Sequence, residues 1–118
     1  MALLLFLLAF ILVAAFTPIG ILATVIKSFF FWNKGILKEY FFKLAIVLDR
    51  FGNVALGSLF NLILIKGKSP NRFGNEKETI SSVLGKNQEA ADLIYLGKRL
   101  VALLDFLDKD HSLKSINN

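Results

Sequence analysis

The chain has 118 residues, 55% of them hydrophobic, with twelve Phe, fourteen Lys or Arg, nine Asp or Glu, and no cysteine. That length holds one domain, or a membrane segment joined to one small domain. The lack of cysteine excludes disulfides and zinc sites built from Cys and His. The net charge of +5 favours an anionic partner, and membrane lipid over nucleic acid.

Ala2 to Ile26 carries no charged side chain over 25 residues. As a helix it is about 37 Å long, against a hydrocarbon core of about 30 Å, so it predicts a transmembrane helix with tilt or overhang. Pro18 and Gly20 mark a place for a kink. A cleaved signal peptide is disfavoured, because nothing basic precedes the apolar run and the run is long. Lys27, Lys34, Lys38 and Lys43 follow the span, whereas no Lys or Arg precedes it. The positive-inside rule then places the N-terminus outside and the C-terminal region on the cytoplasmic side.

The stretch "FFFWNKGILKEYFFK", residues 29–43, interleaves aromatics with lysines, as suits the headgroup level. Trp32, Lys27, Lys34, Lys38 and Lys43 are the expected membrane-interface residues. Gly35 is the expected break between the first helix and the next, and Glu39 and Lys43 are spaced for an i,i+4 pair.

From Ile36 to Ile65 the polar residues Asp49, Asn53, Gly57 and Asn61 recur every fourth position. Each step of four drifts by only about 40° round a helix, so they form one slanting stripe on an otherwise apolar surface. Asp49 and Arg50 would cost about 2.5 to 3.5 kcal/mol each at mid-bilayer. The apolar run from Phe51 to Ile65 is about 22 Å long, too short to cross alone. An interfacial or re-entrant helical hairpin is therefore expected over a second full span.

Lys66 to Glu78 is a linker by composition, with Pro70, two Gly and mixed charge. Asn75 and Glu78 resemble a capping box that opens a short helix from Glu76 to Leu84, ended by Gly85. Asn87 is a second N-cap candidate, for an amphipathic helix from Gln88 to Leu107 with Gly97 in its middle. Lys98 and Arg99 of that helix are candidate partners for the Asp49 stripe. The tail holds Asp105, Asp108, Asp110 and His111, but a calcium loop starting at Asp108 would need Gly where Leu113 stands. No metal site and no cofactor are expected, and Ser81-Ser82 has no neighbouring His in the sequence.

The blocks "DRFGNVALG", "ETISSVLGK" and "LDFLDKDHSLKSI" are similar to those of a family of small phage and prophage membrane-associated proteins. The resemblance runs from about residue 44 to 116 and rests on Leu48, Asp49, Phe51, Gly52, Asn53, Leu56 and Gly57. It continues through Glu78 to Ser82, Gly85 and Lys86, and then Leu104, Asp105, Asp108, His111, Lys114, Ser115 and Ile116. It implies a phage gene product associated with membrane and carries no secure biochemical activity. The Ala2–Ile26 span and the inserted "SLFNLILIKGKSPNRFGN" depart from the family pattern. Both favour an integral membrane role.

Together these features predict an all-α protein: a transmembrane helix (1–27), interfacial helices or a hairpin (28–65), and a polar linker with an amphipathic helical region (66–118). Asp49, Asn53, Glu78, Thr79, Ser81, Lys86 and His111 are expected to form a structural polar constellation, with no catalytic residue among them. The expected role is that of a non-enzymatic phage integral membrane protein, linking a virion membrane to the capsid or seated in the host inner membrane. Its expected partners are lipid and either copies of itself or other phage structural proteins. A holin-like permeabilising protein and a membrane-bound enzyme using Asp49, Glu78 and His111 are the alternatives.

Overall fold

The computed structural model describes residues 1–117, the side chain of Lys34 excepted. The fold is all-α: α1 (Ala2–Phe30), α2 (Lys34–Ile63), α3 (Ile80–Glu89), α4 (Tyr95–Leu107) and α5 (His111–Lys114). Among the described residues there is no strand, only an isolated antiparallel bridge between Ile65 and Leu93. The chain divides into two compact units, residues 1–43 and 44–118, and α2 runs from one into the other.

The first unit is a helical hairpin. Helix α1 runs through Pro18 and Gly20 without a break and has no buried residue among those described. An apolar helix with no protein cover needs an apolar surrounding, because every exposed methylene costs free energy in water. The turn is made by Phe31 to Asn33. Trp32 adopts a left-handed φ of 50°, and Asn33 Oδ1 accepts from Gly35 N at 3.0 Å, which starts α2. The break thus falls at Trp32 and Asn33, and Gly35 lies inside the first turn of the next helix. Beyond the turn the start of α2, up to Lys43, lies against the end of α1, with Tyr40 placed against Gly20, where a side chain would meet its hydroxyl.

Helix α2 is continuous over 30 residues, about 45 Å, in the region where interfacial helices or a re-entrant hairpin were expected. Two helices, Ala2–Phe30 and Gly35–Ile63, are long and apolar enough to cross a membrane.

The second unit has a small apolar core of Leu64, Ile65, Phe73, Val83, Leu84, Leu93 and Val101. Helix α3 is its centre, with every residue from Ser81 to Gly85 buried. Its N-cap is Thr79, whose hydroxyl accepts from Ser82 N at 3.0 Å, so the expected start near Glu76 is corrected by four residues. Asn75 still organises its own turn, accepting from Lys77 N at 3.0 Å. Gly85 does not end the helix. It is the point where α3 meets the Ser112 carbonyl of α5, a place where any Cβ would collide with backbone.

Asn87 is likewise no N-cap. It lies inside α3, fully buried, and donates through Nδ2 to Val83 O at 2.9 Å and Asn71 O at 2.8 Å. Ser69 Oγ donates to its Oδ1. Helix α3 ends at Glu89, and the chain turns away at Ala91, which has a left-handed φ of 58°. The expected Gln88–Leu107 helix is therefore divided, and only Tyr95–Leu107 is α4. Gly97 sits in the first turn of α4, against the Leu64 carbonyl. Two backbone bonds clamp the ends of α2 and α4 together, Lys66 N to Asp92 O at 2.8 Å and Ile94 N to Leu64 O at 3.1 Å.

Candidate functional site

The fourfold stripe on α2 is a dock for the segment that enters α3. Asn61 Oδ1 accepts from Phe73 N at 2.7 Å, and its Nδ2 donates to Phe73 O at 3.2 Å. One turn earlier, Gly57 allows the Gly74 backbone to approach so closely that a Cβ would lie 2.9 Å from Gly74 Cα. Asn53 is completely buried and uses its whole amide, accepting from Gly74 N at 2.9 Å and donating to Asn75 O at 3.0 Å and Glu78 O at 2.9 Å. Last, Asp49 Oδ1 accepts from Ile80 N at 2.7 Å and Oδ2 accepts from Ser81 Oγ at 2.9 Å. Residues 73–81 thus lie antiparallel to α2, each helical turn meeting the next piece of backbone.

This zipper satisfies backbone groups that have no helix or strand partner. A buried N–H or C=O without a partner costs about 1 to 3 kcal/mol, so the stripe decides where the segment lies. The Asp49 carboxylate also sits at the N-terminus of α3, where the helix dipole favours negative charge. Composition marks residues 66–78 as a linker. In the structure they are held along α2 by amide side chains at one end and by Asn87 at the other.

Six residues of the expected constellation lie round the start of α3, and the seventh, Lys86, stands in its last turn. Asp49, Asn53, Thr79 and Ser81 make the contacts above, and Glu78 pairs with Lys86 at 3.3 Å. His111 reaches the same place from α5, with Nε2 at 3.1 Å from Ser81 Oγ and Nδ1 at 3.0 Å from Asp108 Oδ2. Lys114 Nζ closes the line at 2.8 Å from Asp108 Oδ1. Lys114 first, and His111 second, hold the Asp108 carboxyl below the usual carboxylate range.

Asp108, His111 and Ser81 share the connectivity of a nucleophilic triad, but the proton inventory runs the other way. Ser81 has one proton, and the Asp49 carboxylate can only accept it. His111 Nε2 faces the serine oxygen and its Nδ1 faces Asp108. The serine hydroxyl donates to Asp49 and not to the imidazole, and Ser81 is almost wholly buried at 5% exposure. The line Asp49–Ser81–His111–Asp108–Lys114 works as a polar staple joining α2, α3 and α5.

Lys98 and Arg99 do not join this network. Both are exposed on α4, with Arg99 above the Tyr95 ring at 5.8 Å, so the expected ion pair between Asp49 and one of these cations is replaced by the α3 N-terminus. Three contributors escaped sequence reasoning: Asn87, Ser69 and Asp108. An N-cap and an interior amide hub have the same one-letter signature, and nothing in the periodicity separates them. Among the described residues, no group of His, Cys, Asp and Glu is placed to hold a metal ion.

At the other end of the chain, Lys27, Lys38 and Lys43 are exposed and Trp32 is 85% exposed. Lys43 pairs with Glu39 at 2.9 Å, as their i,i+4 spacing predicts. Compared with protein-family models, curated proteins and solved structures, the chain matches none of them.

Proposed function

We propose that the chain is a non-enzymatic phage integral membrane protein that anchors a small, hydrogen-bonded helical unit to one membrane face, in a virion membrane or in the host inner membrane. The observation that carries this reading is the inversion of α2. Asn53 and Gly57 of its polar stripe are buried in the second unit and Asp49 and Asn61 are half-buried, while Val47, Leu48, Phe51, Val54, Leu59 and Leu62 round the rest of the helix are all exposed. A helix in water buries its apolar face. A helix that buries Asn53 and Gly57 and exposes six large apolar side chains is arranged for lipid.

Helix α1 supplies the crossing. Its 29 residues make about 43 Å, some 13 Å more than a hydrocarbon core of about 30 Å. The excess corresponds to its last turns, which α2 folds back along, so Lys27 and the turn aromatics come to the headgroup level. The lysines that follow α1 support an N-terminus outside and a second unit on the cytoplasmic side. The phage origin rests on the three sequence blocks, and the saturated hydrogen bonds of Asp49, Asn53 and His111 favour a structural role for the residues that make them.

The test is fractionation of infected cells and of purified particles. The protein should resist alkaline carbonate extraction from membranes and be found by mass spectrometry in particles stripped of host membrane. Release by carbonate would overturn the membrane reading. Presence in host membrane only, with timed lysis on expression, would replace the anchor with a permeabilising protein.

A further inference from the structure

In the first unit, Thr24 and Lys27 of α1 face Ile36, Glu39, Tyr40 and Lys43 of α2 across a cleft of roughly 350 Å³. Two of its lining groups have no partner among the described residues: the Lys27 ammonium forms no ion pair, and the Tyr40 hydroxyl forms no hydrogen bond. Thr24 is satisfied, donating to Gly20 O at 2.8 Å, and Lys43 shares its charge with Glu39 at 2.9 Å. The cleft therefore holds two ammonium groups and one carboxylate, a net charge of +1, with a phenolic donor beside them. Its remaining wall is apolar, from Ile36 and the uncovered surface of α1.

We infer that this cleft binds the phosphodiester of an anionic phospholipid headgroup. An anionic headgroup such as phosphatidylglycerol brings a phosphodiester whose negative charge is uncompensated, matching one free ammonium and one phenolic O–H, whereas in phosphatidylcholine the choline cation offsets the same phosphate and would meet Lys27 with like charge. The acyl chains of the same molecule would lie along α1, so a single lipid meets both the polar and the apolar wall. Free phosphate offers the same oxygen chemistry without the chains and leaves the apolar wall wet. The inference rests on the membrane reading above, because only a hairpin seated in a bilayer presents this cleft to headgroups.

The test uses the full chain in vesicles of phosphatidylcholine with a minor fraction of phosphatidylglycerol. Flotation is measured first, and lipid retention is then measured by native mass spectrometry after mild detergent transfer. The expected result is one phosphatidylglycerol retained in preference to phosphatidylcholine by about tenfold, the scale of one charge-assisted contact. Lys27→Gln should abolish the preference, Tyr40→Phe should reduce it, and Lys27→Arg should keep it, all with unchanged helical content. Lys109→Gln, outside the first unit, should have no effect. Equal retention of the two lipids by protein that floats would overturn the lipid site and leave the membrane reading intact. Displacement of the lipid by millimolar inorganic phosphate would assign the cleft to free phosphate instead. Protein that does not float would defeat both readings.

Discussion

From Ala2 to Phe16 every residue is exposed, although nearly all are apolar, whereas in the second unit the buried side chains include Asn53, Ser69, Thr79, Ser81, Ser82, Asn87, Ser112 and Ser115. One chain thus places grease outside at one end and amides and hydroxyls inside at the other. The first arrangement is stable only if the solvent is itself apolar. The second holds because most buried polar atoms find a partner. Its apolar core, seven residues in all, is too small to fix the fold by area alone. Under the proposed membrane reading, position relative to the bilayer organises the hairpin, and in the second unit directed hydrogen bonds do the organising.

The most drastic way to break this contrast is to remove α2 from the second unit. A fragment of residues 66–118 lacks Leu64, Ile65 and the entire stripe, and is expected to show no cooperative thermal transition by circular dichroism. Residues 44–118 in mild detergent should melt cooperatively. Equal cooperativity of the two fragments would mean that the stripe is not needed for the fold.

Next in size are the close backbone approaches. Gly85→Ala forces a Cβ into the Ser112 carbonyl and Gly97→Ala forces one into the Leu64 carbonyl. Each should cost about 3 kcal/mol, at the upper end of overpacking effects, because backbone cannot rotate away. Gly67→Ala is the matched control, since nothing lies within 4 Å of its Cβ position, and its melting temperature should be unchanged or slightly raised.

Asn53→Ala removes three hydrogen bonds to backbone and should destabilise by about 2 to 4 kcal/mol. Asp49→Ala should cost less, about 1 to 3 kcal/mol, because its site is half-exposed. Leu12→Ala, in the fully exposed helix, should leave the melting of the second unit where it was. A loss at Leu12 comparable to that at Asn53 would erase the distinction between the two regions.

The smallest effect is in acid. The Asp108 carboxyl is held below its ordinary value by Lys114 and His111, so its contribution is present above the unfolded carboxylate range and is lost as pH falls through the lower folded value. Asp108 is fully exposed, and the change should be slight. Asp108→Asn should flatten the acid limb of the stability profile below about pH 4 and leave neutral pH nearly unaffected.

The sequence was most legible where one physical rule governs. An uncharged run of 25 residues can hardly be anything but an apolar helix, and the i, i+4, i+8, i+12 stripe identifies Asp49, Asn53, Gly57 and Asn61 as one face. The partner of that face was not legible. A stripe of amides fits another helix as well as an extended backbone, and the choice depends on residues 73–81, whose contacts are all non-local. Gly85 and Asn87 misled for a related reason. Glycine ends helices and also admits close packing, while asparagine caps helices and also satisfies buried loops, and only tertiary context distinguishes these uses. Helix over Ile36–Ile65 was legible, but Asp49 and Arg50 look like a boundary and favoured a hairpin over one long helix. Asp49 is instead paired through the protein, and Arg50 lies exposed beside the stripe.

The central claim is that α2 turns its polar face to protein and its apolar face to lipid. The chain has no cysteine, so single cysteines from position 47 to 62 can carry a nitroxide label in the full-length protein in vesicles. Collision rates with oxygen, which concentrates in lipid, and with a water-soluble nickel complex then report each surrounding. The account predicts high oxygen accessibility at Val47, Phe51, Val54 and Leu62, with low accessibility to both reagents at Phe60 and Asn61, in a helical period. High nickel accessibility along the Val47–Leu62 face would place it in water and contradict the account.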